Sequence, residues 1–370
     1  MTEDRPMAVH SVAFRFAGSG AIPLKHHALS DVPPPSSDRV PGLERELTDL
    51  PDDLDLGTPV ATPEYVDRER SEPVAYVAGS RPQIRVVFRA QAGTSETTTI
   101  GATGPDGGVS RRSVELRFDP NGLSDSIEFE LAASLPLTVG RHALALDWFI
   151  ARGDAGSPTP IGSTEHAIYV TAGRPNAPWD TEVAWVDALD LACAWAGGAA
   201  GADEAATAIT RALNAHPQLR YHGKRTFGPD RFFLSSFLRM LRDGGVVHMN
   251  CTDCADAVVA LANLLGCDLH AGRVIDLETR RFLRLGGDPA NDADWIAFDW
   301  DFHELAWRHG VGPRADVYDA SLQLDADRND ADEVHVPQLA AQMAFERYRE
   351  LLVVDGPCKL ADASTRRAIA

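Results

Sequence analysis

The chain has 370 residues, 44% of them apolar, and a formal net charge of −19. That length suggests two or three domains with a sizeable core. So acidic a surface repels phosphate, which argues against nucleic acid and anionic lipid as partners. No run approaches the roughly 18 uninterrupted apolar residues of a membrane helix, so no membrane partner is expected. The opening MTEDRPMAVHSVAF lacks a cationic stretch leading into an apolar one, and the expected location is cytoplasmic. Five cysteines, at 193, 251, 254, 267 and 358, are an odd number in a chain without a secretory signal. That argues against a disulfide framework.

Residues 1–80 read as an extended or weakly structured N-terminal arm. Pro33-Pro34-Pro35-Ser36-Ser37 and the acidic stretch from Asp49 to Asp55 are linker-like, with one strand predicted at Val9 to Phe16. Residues 81–173 read as an immunoglobulin-like β-sandwich. Strands are predicted at Gln83 to Arg89, Ser113 to Phe118, Ser126 to Leu131, His142 to Phe149 and His166 to Val170. Turn signals at Gly104-Pro105-Asp106-Gly107 and Asp119-Pro120-Asn121-Gly122 separate them. His142 and His166 read as ordinary strand residues. The Pro- and Gly-bearing stretch 173–178 marks a boundary, and the pattern then turns helical. Helices are expected around Val183 to Cys193, Ala205 to Leu213 and Phe232 to Leu241.

The informative segment runs from His248 to Gly266. Asn250 is placed to cap a helix whose first turn holds Cys251 and Asp253. Ala255, Val258, Val259, Ala262 and Leu265 form a buried stripe at helical spacing, and Gly266 is a natural stop. A helix N-terminus carries about half a positive charge and favours thiolate, the nucleophilic form. Asp253 and Asp256 oppose that effect if they face the sulfur, so a histidine base is required as well. Downstream, 295–307 reads as one strand with apolar residues at 296, 298, 300 and 302 on one face. His303 falls on the other face with Asp299 and Asp301. Val317 to Leu322 reads as a further strand, and Asp319 on it is suited to orient the imidazole. Asp316 and Asp325 are nearby alternatives to Asp319, and His248 is a local rival to His303. A last helix is expected from Pro337 to about Val353, with Leu339, Met343, Phe345, Tyr348 and Leu351 among its apolar positions.

A helix-start cysteine followed by His and Asp on strands resembles the transglutaminase-like superfamily of papain-type proteins. Cys251, Asp253 and Ala255 match its Cys-x-Asp-x-Ala motif, and Gly266 with Leu269 to Val274 match the glycine and strand that follow. The family's common Gly-Ile-Pro-Ala-Arg reads here Gly266-Cys267-Asp268-Leu269-His270. The resemblance covers about residues 180–325. It implies a multidomain α+β protein, in which the sandwich is followed by a transglutaminase-like, papain-like domain over 180–370. It also implies a catalytic triad of Cys251, His303 and Asp319 acting through a thioester on a carboxamide or peptide bond, with no cofactor and no metal. Hydrolysis is the default outcome, since cross-linking needs a water-excluding amine site that no segment marks. The partner is then a protein or peptide substrate, and the sandwich and the arm are left open to a further protein partner. The alternative is an inactive binding or assembly module of the same fold.

Two rival readings share these cysteines. Cys251-x2-Cys254 and Cys267-x2-His270 have zinc-site spacing. The unbroken apolar helix between them would hold the pairs about 20 Å apart, too far for one ion. A redox Cys251-x-x-Cys254 lacks the βαβ context of thioredoxin-like proteins.

Overall fold

Alternation of apolar and polar residues builds the first half of the chain. In the computed structural model, residues 7–15, 20–25, 64–67, 70–105, 107–151, 157–228, 230–329, 334–354 and 358–370 are described. The described residues divide into two units, 7–174 and 175–370. The whole is a mostly β, multi-sheet α+β protein with five α-helices among the described residues.

Among the described residues, ten strands build the two sheets of the first unit together with Ala21–Ile22. These are β1 (Ala8–Phe14), β2 (Glu64–Val66), β3 (Arg70–Ser71), β4 (Val74–Val77) and β5 (Gln83–Arg89), then β6 (Ser95–Thr103), β7 (Val109–Arg117), β8 (Ile127–Glu130), β9 (Gly140–Ala151) and β10 (Thr159–Thr171). One sheet has the order β8-β5-β1-β2-β3; the other runs from Ala21–Ile22 through β4-β10-β9-β6 to β7. In β5, Ile84, Val86 and Phe88 are buried while Gln83, Arg85 and Arg89 are exposed. These three join Val12 and Phe14 of β1, and Leu146, Trp148 and Val170 of the second sheet, in one core. Trp148 meets Phe88 and Phe129 edge-on, and its indole N–H donates to Thr164 Oγ1 at 3.0 Å. Gly122 closes the Asp119–Gly122 turn with φ 76°, where a Cβ would lie 2.3 Å from the Ala90 carbonyl oxygen.

The five strands expected between 83 and 170 are all present. The Thr-rich β6 escaped the reading because it has few apolar residues; β-branched threonine nevertheless suits a strand. The N-terminal arm needs correction. β1 pairs with β5 on one side and β2 on the other, so it lies inside its sheet. Pro33 to Ser37 and Asp49 to Asp55 lie outside the described residues. His166 is a buried strand residue against Phe14 and Tyr65, lowered to about 4 by burial.

The second unit begins with α1 (Val186–Trp195), α2 (Ala202–Asn214), β11 (Leu219–Tyr221), α3 (Leu234–Asp243), β12 (Val247–Met249) and α4 (Cys251–Leu264). There follow β13 (Leu269–Glu278), β14 (Phe282–Arg284), β15 (Trp295–Ile296), β16 (Asp299–Arg308), β17 (Asp316–Asp325), β18 (Pro337–Ala344), α5 (Phe345–Leu352) and β19 (Lys359–Thr365). Their sheet has the order β15-β14-β17-β16-β13-β19, with β18 also paired to β17. Every residue of α4 is buried, which explains its apolar run. The helix stops where Gly266 takes φ 88°. There Gly266 N–H donates to Asn263 O and Cys267 N–H to Ala262 O, the paired bonds of a Schellman cap.

Two expectations are corrected. The strand predicted over 295–307 is broken at 297–298, and Phe298 and Phe302 are 55% and 37% exposed instead of forming a buried face. The helix predicted from Pro337 begins only at Phe345. Pro337–Ala344 pairs with β17, so a tertiary partner overrides its helical spacing. No helix among the described residues is long and apolar enough to cross a membrane.

If β1 is a core strand, Phe14→Ala should lower the unfolding free energy by about 3–5 kcal/mol. Phe14 is 2% exposed and packs on Tyr76 and His166. Urea unfolding measures this; a loose arm would show almost no change.

Candidate active site

The site starts from the cap of α4. Asn250 Oδ1 accepts from Asp253 N–H at 2.9 Å, and Asp253 Oδ2 accepts from Asn250 N–H at 3.2 Å. This reciprocal box sets Cys251 at the first position of the helix, 6% exposed. Asp253 also accepts from Thr226 and Phe227 N–H at 2.8 and 3.1 Å. Its charge is therefore spent on backbone donors at the cap and in the 226–227 loop.

β16 and β17 bring the other two groups together. They are antiparallel, with Ala306 opposite Tyr318 and Trp307 opposite Val317. Continuing that register puts His303 opposite Ser321, one diagonal step from Asp319. His303 Nε2 lies 2.8 Å from Asp319 Oδ2. Tyr348 Oη donates to the same oxygen at 2.7 Å, and Ser321 donates to Oδ1 through both N–H and hydroxyl at 2.8 and 2.7 Å. Trp300 stacks on the imidazole at 4.6 Å and 9°. His303 Nδ1 is buried with no hydrogen-bond partner, and the Cys251 side chain is close enough to favour the imidazolium.

Burial alone would lower His303, but the Asp319 carboxylate more than reverses this, and the histidine is raised to about 10. Burial alone would raise Asp319; His303 and the hydroxyl donors hold it below the usual carboxylate value. The buried pair is thus imidazolium and carboxylate near neutrality.

A clamp of buried ions joins the helix to the strand. Thr252 Oγ1 donates to Glu304 Oε2 at 2.9 Å, so the neighbours of Cys251 and His303 are bonded to each other. Arg367 bridges Asp256 and Glu304, with 2.6 Å to each. Arg225 reaches Asp256 at 2.8 Å, and Arg273 reaches Glu304 at 3.0 Å. Asp256 therefore faces guanidinium groups, and burial raises it to about 7 against their pull.

Cys251, His303 and Asp319 thus share one site. The rivals do not join it. His248 packs edge-on against His222. Asp325 accepts from His335 and Val336, and Asp316 opens β17 beside Ala344. The zinc-like spacing does not gather its ligands: Cys267 donates to Ala202 O, and His270 lies against Arg366. Cys251 and Cys254 are not joined in a disulfide, and burial pushes the Cys254 thiol well up. Sequence reasoning missed Ser321, Trp300 and Tyr348 as site residues. Trp300 and Tyr348 had registered only as apolar positions, and no local pattern links Tyr348 to a strand 29 residues away.

No protein-family model matches the chain, and no curated protein matches it. Among solved structures, a distant neighbour is the crystal structure of red sea bream transglutaminase, with a TM-score of 0.36 and 12% sequence identity. The match covers 68% of this chain and 49% of that one, so the chain spans about half that protein's length.

Two outcomes follow from the charges. A histidine raised from 6.5 to about 10 adds stability that is whole below about pH 6.5 and is lost as pH rises through 10. The gap in unfolding free energy between the protein and His303→Gln should therefore narrow between pH 6.5 and 10; a constant gap would contradict the pair. Arg367→Met leaves two carboxylates short of a cation and should cost about 3–5 kcal/mol in urea unfolding.

Proposed function

We propose that the chain is a cysteine enzyme of transglutaminase-like type that acts on a carboxamide or peptide bond. The observation that carries this reading is His303, buried with one nitrogen on Asp319 and the other unpartnered beside Cys251. Residues 180–370 would form the papain-like catalytic domain, and 81–173 an immunoglobulin-like sandwich that, with the N-terminal segment, is open to a protein partner.

The Cys251 sulfur attacks the carbonyl carbon as thiolate, with His303 as its imidazolium partner. The carbonyl electron pair moves to oxygen, then returns as the C–N bond breaks. His303 delivers a proton to the departing amine, and a thioester remains on Cys251. Water, deprotonated by the now neutral His303, adds to the thioester and releases the acid. An amine in place of water would give a cross-link. Asp319 keeps its charge throughout and holds the ring.

A second reading is favoured by the burial of the nucleophile: Cys251 is only 6% exposed. In that reading the groove is kept as a binding or assembly module without turnover.

Casein separates the two readings, with conversion of glutamine to glutamate and new amine termini as signals of hydrolysis and a fluorescent primary amine as the acceptor for cross-linking. Hydrolysis that vanishes in Cys251→Ala, while the unfolding midpoint holds, is the expected result. Dominant amine incorporation would move the reaction to cross-linking. No Cys251-dependent turnover on native or denatured casein would favour the binding module.

A further inference from the structure

A thiolate attacking a carbonyl creates an oxyanion, and that charge needs two hydrogen-bond donors in a site shielded from water. One is at hand. The Cys251 N–H opens α4 and has no acceptor among the described residues, as expected for the first turn of a helix. The second has to come from a neighbouring element.

β11 is that element. It runs parallel to β12, with Tyr221 opposite Met249, two residues before the nucleophile. Its backbone is held on both sides: Tyr221 N–H donates to Leu285 O at 2.9 Å, and His222 N–H to Met249 O at 2.8 Å. The ring is half-buried, with the Arg284 guanidinium 5.9 Å from its centroid. The phenol hydroxyl has no hydrogen-bond partner among the described residues. Resting on the catalytic reading above, we infer that the Tyr221 hydroxyl is the second oxyanion donor, aligned with the Cys251 N–H by the pairing of β11 with β12.

The electrostatics agree. Burial raises the phenol far above its ordinary value, and the nearby acidic groups Cys251, Cys254 and Asp319 raise it further. Both effects favour the protonated, donating form of the hydroxyl. Asn250 is the rival, because its side-chain amide sits beside the same cysteine.

Two probes on the full chain test this. Iodoacetamide alkylates Cys251 by displacing iodide from a saturated carbon, and no oxyanion forms. p-Nitrophenyl acetate acylates the same sulfur: the S–C bond forms, the carbonyl pair moves to oxygen and returns, and p-nitrophenolate leaves unprotonated. Tyr221→Phe should slow the p-nitrophenolate burst by about 10²-fold and leave alkylation unchanged. An unchanged burst would overturn the assignment. So would equal loss of both rates, which would make Tyr221 a mere support for Cys251. A burst lost only in Asn250→Ser, which keeps a capping oxygen, would move the donor there. If wild-type Cys251 reacts with neither probe, the catalytic reading itself fails, a result distinct from all three.

Discussion

A carboxylate as buried as Asp319 survives as an anion only if its oxygens are fully hydrogen-bonded; otherwise it takes up a proton. Four donors from three elements meet that demand: His303 on β16, the Ser321 amide and hydroxyl on β17, and Tyr348 on α5. The short β18 leads into α5, which carries Tyr348 back to Asp319. Removing any one donor would leave a lone pair unsatisfied in a dry interior. The same requirement fixes the imidazole: its Nε2 is committed to Asp319, so only Nδ1 is left for Cys251.

Cys251 is fixed by a separate set of interactions. The Asn250–Asp253 box orients the first turn of α4, and the Thr252–Glu304 bond ties that turn to the strand bearing His303. Arg367 closes the loop by holding Asp256 and Glu304 at once. Such buried ions add little net stability over a well-packed apolar core, because desolvation offsets attraction. What they supply is register. Cys251 and His303 face each other because the residues next to them are bonded.

Much of the site was legible in the sequence because its parts obey local rules. A capping asparagine before Cys251, a stripe of small apolar residues and the stop at Gly266 describe α4 without tertiary information. The strands bearing His303 and Asp319 were also readable, but the register that sets the pair one diagonal step apart was not. What escaped depends on distant partners. Tyr348 reads as one more apolar helix position until α5 is packed under β17. Pro337–Ala344 has helical spacing and is a strand only because it pairs with β17. β1 lies far from the other strands in sequence, with low-complexity residues between, so it looked like part of an arm. The acids near Cys251 seemed a liability; their guanidinium partners, at 225 and 367, are too far away in sequence for any spacing rule to join them.

The central claim is that Cys251 and His303 act as one chemical unit. Timed iodoacetamide labelling of the native protein, with each cysteine quantified by mass spectrometry in wild type and His303→Ala, tests it most directly. The account predicts that Cys251 is modified first among the five cysteines and loses that preference in His303→Ala. Slow labelling with no preference for Cys251, or a preference that persists without the histidine, would contradict it.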